Sequence, residues 1–409
     1  MKNISCRIFT VGNELLIGET VDTNSAAISR HMTSCGVEVA RKETLPDDIA
    51  VIADAINGAG ADITILTGGL GPTPDDMTRE GLARAFGVPM REDKHQVQRL
   101  RGFFRKFKRK AVACNFAQAQ VPLGFKAIDN PFGTAPVLFR EKPFIVALPG
   151  VPRELEGLMP KVVLPLIRRN FACPVIHIRE IRTTGIGESM LFDRIKHIAI
   201  PKDVSFSSLP ETGGVIIRLL GRNRKAVAGI AGKIRARAAE FAYGGRDDSL
   251  EKAVLKTFVQ KRLTLALAES CTGGRIASRL TSVPGSSNYF LGGVVSYSNA
   301  LKERLLGVPS AVLREKGAVS GETALSMARG VKERTGAGVA LAVTGIAGPD
   351  GGTKNKPVGT VFIAVVTGKK EAVERFWFFG ERRAVQERSA TAALFMLLKA
   401  VVKPDPGKR

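Results

Sequence analysis

A chain of 409 residues with 44% hydrophobic and 24% charged content can bury more than one core, and its net charge of +23, spread along the chain rather than gathered in a tail, reads as a generally basic protein ahead of attraction for anionic partners or substrates. It has no apolar run of about 18 residues, which argues against a helical membrane span, and its first seven residues lack the apolar stretch of a secretion signal. Five scattered cysteines, at positions 6, 35, 114, 173 and 271, form no CxxC pair, so neither a zinc site nor a disulfide framework is indicated and a cytoplasmic location is expected.

Residues 8–12 read as a strand running into a glycine turn, and Asp22-Thr23-Asn24 offers cap-type side chains to a helix over 25–32. A second strand is expected at Val37-Glu38-Val39, a second helix over 47–57 and a buried strand over 62–66. This alternation predicts a doubly wound α/β domain with a mostly parallel sheet over residues 1–170. Ligands of such sheets bind beyond the carboxyl ends of the strands. There the buried strand gives way to Thr67-Gly68-Gly69-Leu70-Gly71-Pro72-Thr73-Pro74-Asp75-Asp76. Glycines let backbone amides approach a phosphate, so Gly68, Gly69, Gly71, Thr73 and Asp76 are candidates for a nucleotide or phosphate site. Asp75 and Asp76 are candidate oxygen ligands for Mg²⁺ or a similar hard cation. The most basic stretch, 99–110, interleaves Phe103, Phe104 and Phe107 with arginine and lysine. It reads as an amphipathic helix with its phenylalanines on the core, the alternative being a nucleic-acid or membrane-surface helix.

Residues 175–179 and 215–220 alternate like half-buried strands, 182–189 opens a helix and 226–241 forms another, which predicts a small α+β domain over 171–246. Residues 243–248 are the expected linker to a third domain, 247–409. After an amphipathic helix over 249–260, the apolar run from Leu265 stops at Glu269-Ser270-Cys271-Thr272-Gly273-Gly274, and helical spacing resumes at Arg275. A strand–turn–helix brings backbone N–H groups to a helix start, where they stabilise an anion or a developing oxyanion. One of Ser270, Cys271 and Thr272 is therefore expected to attack a carbonyl carbon. A strand over 294–297 leads to a helix from about Asn299 that carries Lys302. The run 339–343 enters a second glycine-rich loop, Thr344-Gly345-Ile346-Ala347-Gly348-Pro349, before paired strands at 358–366 and 372–379 and a closing helix over 384–402. The four histidines, His31, His95, His177 and His197, all precede this domain, which excludes a Ser-His or Cys-His pair within it. A lysine of lowered pKa, or a tyrosine beside it, remains to activate the hydroxyl, and Lys302 and Tyr297 are the candidates.

Gly12 to Gly18, Asp22-Thr23-Asn24, Thr67 to Arg79, Asn130-Pro131-Phe132-Gly133-Thr134-Ala135-Pro136 and Leu148-Pro149-Gly150-Val151-Pro152-Arg153-Glu154-Leu155 resemble the N-terminal domain of the CinA family of competence/damage-inducible proteins. Glu269 to Gly274, Tyr297-Ser298-Asn299 with Lys302, Gly317-Ala318-Val319-Ser320, Thr344 to Gly352 and Lys356 to Val361 resemble its C-terminal domain. The resemblance implies a molybdopterin-binding-like first domain, which in some members hydrolyses ADP-ribose with a divalent metal such as Co²⁺ or Mg²⁺. It implies a C-terminal α/β domain that is a nicotinamide mononucleotide amidase, working in pyridine nucleotide salvage without a cofactor. Carried onto this sequence, Ser270 is the nucleophile, and Lys302, in contact with Tyr297, moves its proton. N–H groups around Thr272, Gly273 and Gly274 meet the oxyanion, while Thr344, Gly345, Gly348 and Arg382 hold the phosphorylated substrate. The chain departs from the family pattern at Asn13, where aspartate is frequent, at Val137, where glycine is frequent, and at Gln386, where arginine is usual. Asn13 bears on the pyrophosphatase activity and Gln386 on phosphate binding. The expected partners are small phosphorylated nucleotides and a second copy of the chain, and no membrane. The alternative is a non-catalytic pterin- or nucleotide-binding protein with a competence- or DNA-related role.

Overall fold

The apolar runs at the start of the chain pair into one six-stranded sheet. β1 (Ser5–Val11), β2 (Glu38–Leu45) and β3 (Ile63–Thr67) run parallel, and α1 (Asn13–Leu16) follows β1. β4 (Met90–Glu92) and β5 (Gln120–Pro122) form a separate antiparallel ribbon. β6 (Lys126–Ile128), β7 (Val137–Arg140) and β8 (Phe144–Leu148) complete the sheet in the order β2-β1-β3-β8-β7-β6, with β8 parallel to β3 and the last two strands antiparallel. Every residue of β3 and β8 is buried, which is why β8 reads as an unbroken apolar run and β3 is interrupted only by threonine: central strands are covered on two faces. Cys6, Ile8, Ile63, Ile65 and Val146 share a core with α2 (Thr23–Ser34), α6 (Pro152–Leu158) and α7 (Leu164–Asn170). Phe9, Val11, Leu66 and Ile145 share another with α3 (Ile49–Asn57) and α4 (Thr78–Phe86). The doubly wound arrangement expected from the sequence is present.

The basic stretch is helical, as α5 (Lys94–Lys106), but its phenylalanines are not in either core. Only Gln96 and Leu100 of this helix are buried. Phe103 instead packs on Phe104 and Phe107, at 5.8 and 4.8 Å between ring centroids, and Phe107 is exposed. Polar bonds anchor the helix: Gln96 Nε2 donates to Asp129 Oδ1 at 2.8 Å, and Arg99 donates to the carbonyls of Asn130, Gly133 and Thr134.

The computed structural model describes residues 4–108, 110–368 and 370–402, so residues 403–409 of the expected third domain lie outside the description. It divides the chain into two compact units, Met1–His177 and Ile178–Arg409. In the second, β9 (His177–Thr184), β10 (Val204–Glu211), β11 (Gly214–Gly221) and β12 (Ala242–Gly244) form a small sheet in the order β10-β11-β9-β12. α8 (Glu188–Ile195) and α9 (Arg224–Arg237) contribute Leu191, Ile195, Val227, Ile230 and Ile234 to its core. A larger sheet follows: β13 (Leu265–Glu269), β14 (Phe290–Val295), β15 (Val339–Gly345), β16 (Thr360–Val366) and β17 (Glu371–Trp377), in the order β14-β13-β15-β16-β17. The first three are parallel and the last two antiparallel. Leu265 and Leu267 face α10 (Leu250–Lys261), α11 (Arg275–Thr281) and α15 (Arg382–Val402). Ala266 and Ala268 face α12 (Asn299–Leu306), α13 (Ser310–Glu315) and α14 (Gly321–Thr335). The small alanines let α14 pack close to the sheet.

Candidate active site

In the first unit, β2 and β3 lie on opposite sides of β1, so a crevice opens beyond the carboxyl ends of β1 and β3. A cavity of about 620 Å³ occupies it, and Gly68, Gly69, Gly71, Asp75 and Asp76 line its wall. Gly68 sits at φ 104, and a Cβ there would meet the Val11 carbonyl oxygen at 2.1 Å, so the tight exit from β3 requires glycine. The polar atoms of this loop bond to one another. Asp76 Oδ1 accepts the Gly71 N–H at 2.7 Å, and Oδ2 accepts the Thr73 N–H at 2.8 Å and its hydroxyl at 2.5 Å. Amides expected to hold phosphate are thus spent on closing the loop around Asp76. Asp75 is exposed. Among the described residues no group of three or more His, Cys, Asp or Glu assembles to hold a metal ion. Of the expected Asp75–Asp76 pair, Asp76 is engaged by its own loop, and Asn13 offers only an amide, whose Oδ1 accepts the Asp47 N–H at 3.4 Å. The buried oxygens Asn24 Oδ1 and Gln118 Oε1, from residues that line the same cavity, have no partner.

In the second unit, β13 lies between β14 and β15, and its carboxyl end delivers Ser270 to the equivalent crevice. The turn is built by Glu269. Its buried carboxylate accepts the N–H groups of Gly274 at 3.0 Å, Ile276 at 3.1 Å and Ala277 at 2.8 Å, filling the α11 start with a negative charge the helix dipole favours. Gly273 donates its N–H to the Ser270 carbonyl at 3.0 Å. The Gly273 and Gly274 amides are thus committed within the turn rather than left for an oxyanion. The Thr272 hydroxyl is buried and has no partner. Cys271 lies in the apolar cluster under α15, and burial pushes its thiol up to about 12, so no thiolate forms near neutral pH.

Lys302 rises from the first turns of α12 and is 1% exposed. Its Nζ lies 3.1 Å from Ser270 Oγ, 2.8 Å from the Ser296 carbonyl oxygen and 3.3 Å from that of Tyr297. Burial holds this amine below the ordinary lysine range, opposed only by neighbouring Cys271. Tyr297 departs from expectation. Lys302 reaches its backbone carbonyl, whereas the phenol, on a side chain 57% exposed, receives a 2.5 Å hydrogen bond from Arg382 Nη2. The lysine bonds the carbonyls that follow the β14 end from inside, and the ring lies on the outer side where α15 begins.

Arg382 also donates from Nη1 to the Gly348 carbonyl at 2.7 Å, joining the second glycine-rich loop to Tyr297. The Thr344 hydroxyl is buried and donates to the Ala318 carbonyl at 2.7 Å, and Gly345 pairs with Val361 in the sheet. Thr344 and Gly345 therefore hold the strand end, while Arg382 and Gly348 face one another across the loop. Gln386 donates Nε2 to the Cys271 carbonyl at 2.9 Å and accepts from Arg275, which also pairs with Glu387. The departure from arginine thus places an amide on the nucleophile turn. Glu269 and Ser296 were not foreseen as site residues. An acid ending a strand just before a helix start was the available signal for Glu269; Ser296 contributes a backbone carbonyl and leaves no side-chain signal.

Residues 247–401 match the CinA C-terminal domain, and residues 7–169 match a probable molybdopterin binding domain. A CinA-like protein of Gemmatimonas aurantiaca is 41% identical over 414 residues, covering 97% of this chain and 96% of its own. A CinA-like protein of Geobacter sulfurreducens is 39% identical over 405 residues, covering 96% and 98%. Among solved structures, the protein CinA from Thermoplasma acidophilum is 35% identical, with a TM-score of 0.37, and the match covers 40% of this chain and 99% of that one.

Proposed function

Because the chain belongs to the CinA family, we propose that its second unit hydrolyses the carboxamide of nicotinamide mononucleotide to nicotinic acid mononucleotide and ammonia. The observation that carries this reading is the buried Lys302 amine, whose partners are two backbone carbonyls and the Ser270 hydroxyl. A neutral amine has two N–H donors and one lone pair. The two carbonyls take the donors, and the lone pair is left for the Ser270 O–H. As Ser270 Oγ bonds to the carboxamide carbon, its proton passes to Lys302 Nζ and the carbonyl π electrons move to oxygen. The backbone amides of Cys271 and Thr272 and the Thr272 hydroxyl are the candidate donors to that oxyanion. When the tetrahedral carbon collapses, the C–N bond breaks and the lysine ammonium returns its proton to the departing nitrogen as ammonia. Water then attacks the acyl-serine ester and gives its proton to Lys302, which passes it to Ser270 Oγ. Arg382, between Gly348 and Tyr297, is the candidate contact to the substrate phosphate. Ammonia release from the mononucleotide by the full chain tests the reading; an undiminished rate in Ser270→Ala would sink it.

The first unit supports a second reading, that of a binding domain for a nucleotide or pterin. Its carrying observation is the cavity at the β1–β3 switch point with the unpartnered amide oxygens of Asn24 and Gln118, which suit a ligand offering N–H donors. Calorimetric titration with ADP-ribose tests it: binding without turnover supports the reading, and no binding removes it.

A further inference from the structure

The second unit holds a cavity of about 620 Å³ that amide hydrolysis does not use. One wall is the turn 184–188 and the β10–β11 hairpin tip of the small sheet; the other is the end of β17 and one face of α15. Three features define what it can take. First, its surface is aromatic. Phe376 and Phe378 stack with centroids 5.6 Å apart and planes 9° apart, Phe395 lies beside them, and Phe379 remains 66% exposed. An exposed aromatic beside a stacked pair offers a flat face to another ring. Second, the charges at the wall cancel. Arg388 lies over the Phe379 ring at 4.1 Å and Lys399 over Phe395 at 4.5 Å. Against these stand Glu188 and Glu374, while Glu211 is paired with Arg182 at 3.7 Å. Such a wall favours neither an anion nor a cation. Third, the lining is bonded to the candidate active site. Thr391 Oγ1 accepts from Arg279 Nη1 of α11 at 2.9 Å, the Phe378 N–H reaches the Gly359 carbonyl at 2.9 Å, and α15 carries Arg382 and Gln386.

We propose that this cavity is a second ligand site for an uncharged planar heteroaromatic compound of the nucleoside class, and that its occupancy acts through α15 on the Ser270 turn. The volume is within the range of small-molecule pockets and exceeds the needs of a single ring. A base stacked on Phe379 and the Phe376–Phe378 pair would press on Thr391 and Arg388, and so on α11, which follows directly on the Ser270 turn. The regulatory half rests on the function proposed above; the binding half does not.

Trp377, the only tryptophan, is not among the lining residues but adjoins Phe376 and Phe378, which are, so a shift of the β17 end on binding reaches its ring. The experiment titrates the full chain with adenosine and follows tryptophan fluorescence, then compares amide hydrogen exchange over residues 270–281 with and without adenosine. The expected result is a saturable fluorescence change and altered exchange over those residues. Ala392→Phe, which places a ring in the cavity, should abolish both; Phe379→Ala, at an exposed position, should weaken binding about tenfold, by the loss of a base–aromatic stack. Circular dichroism confirms that each variant is folded. No saturable change, tighter binding of AMP than of adenosine, or a response indifferent to both substitutions overturns the site. Binding without altered exchange overturns the coupling. Since neither readout needs turnover, an inactive protein sinks the amidase reading and leaves this test standing.

Discussion

The Nζ of Lys302 lies 3.1 Å from the Oγ of Ser270, and both side chains are buried. Withdrawal from water disfavours the ammonium form, and the recorded hydrogen-bond partners of this lysine are uncharged oxygens. A lysine so placed is available as a base at a lower pH than an exposed one.

The rate of ammonia release should therefore rise with pH through the depressed pKa of Lys302 and level off below the range of an ordinary lysine. Lys302→Arg, which stays charged, should lose about three orders of magnitude in kcat. A kcat/KM profile against pH for both proteins checks this, and a surviving rate in Lys302→Arg would remove the lysine from the reaction.

The same group links stability to pH. The folded-state pKa of Lys302 lies below its unfolded value, so the unfolded chain binds the extra proton between the two. Its contribution is present in full above the unfolded pKa and is lost as pH falls towards the folded pKa. Thermal unfolding of Lys302→Met compared with the parent should show a smaller rise of Tm with pH across that window.

Tyr297→Phe removes the phenol that Arg382 holds at 2.5 Å and leaves the backbone carbonyl that Lys302 uses. The expected outcome is a raised KM with kcat reduced less than about tenfold, far milder than the effect of changing a general base. Steady-state kinetics separates the two, and a collapse of kcat would place the phenol in proton transfer after all.

Glu269→Gln leaves one side-chain oxygen where two now accept the N–H groups of Gly274, Ile276 and Ala277. Loss of charge-assisted bonds at a helix start should cost about 2 kcal/mol. Urea unfolding followed by circular dichroism measures it; unchanged stability would mean the carboxylate does not hold the turn.

Cys271 should resist alkylation near neutral pH while exposed Cys114 reacts, since burial keeps the Cys271 thiol protonated. Mass spectrometry of iodoacetamide-treated protein reads the two peptides. Cys271→Ala should release ammonia at close to the parent rate, and a loss comparable to that of Ser270→Ala would make the thiol the nucleophile.

Much of this architecture is legible in local sequence. The five-residue strands β3 and β13 are buried throughout and carry polar residues only at Thr64, Thr67 and Glu269, because both faces are covered. Gly68 follows β3 because no Cβ fits against Val11. The absence of histidine beyond residue 197 restricted the activating group to lysine or tyrosine before any geometry was known. The aromatic stretch on α5 misled, because spacing reveals which residues share a helix face and not whether that face has a partner.

The sequence by itself determined the alternation of strands and helices, the glycine exits and the cluster of hydroxyls at a helix start, since each follows from the chemistry of residues adjacent in the chain. Only the tertiary structure decided how their polar atoms are spent. Asp76 closes its own loop, Glu269 fills the α11 start, and the Tyr297 phenol turns to Arg382, 85 residues away, leaving Lys302 to Ser270, 32 residues away. A buried polar atom must find a partner among the groups the fold brings near, and several such groups compete for it. That competition is settled by packing, and no spacing along the chain records the outcome.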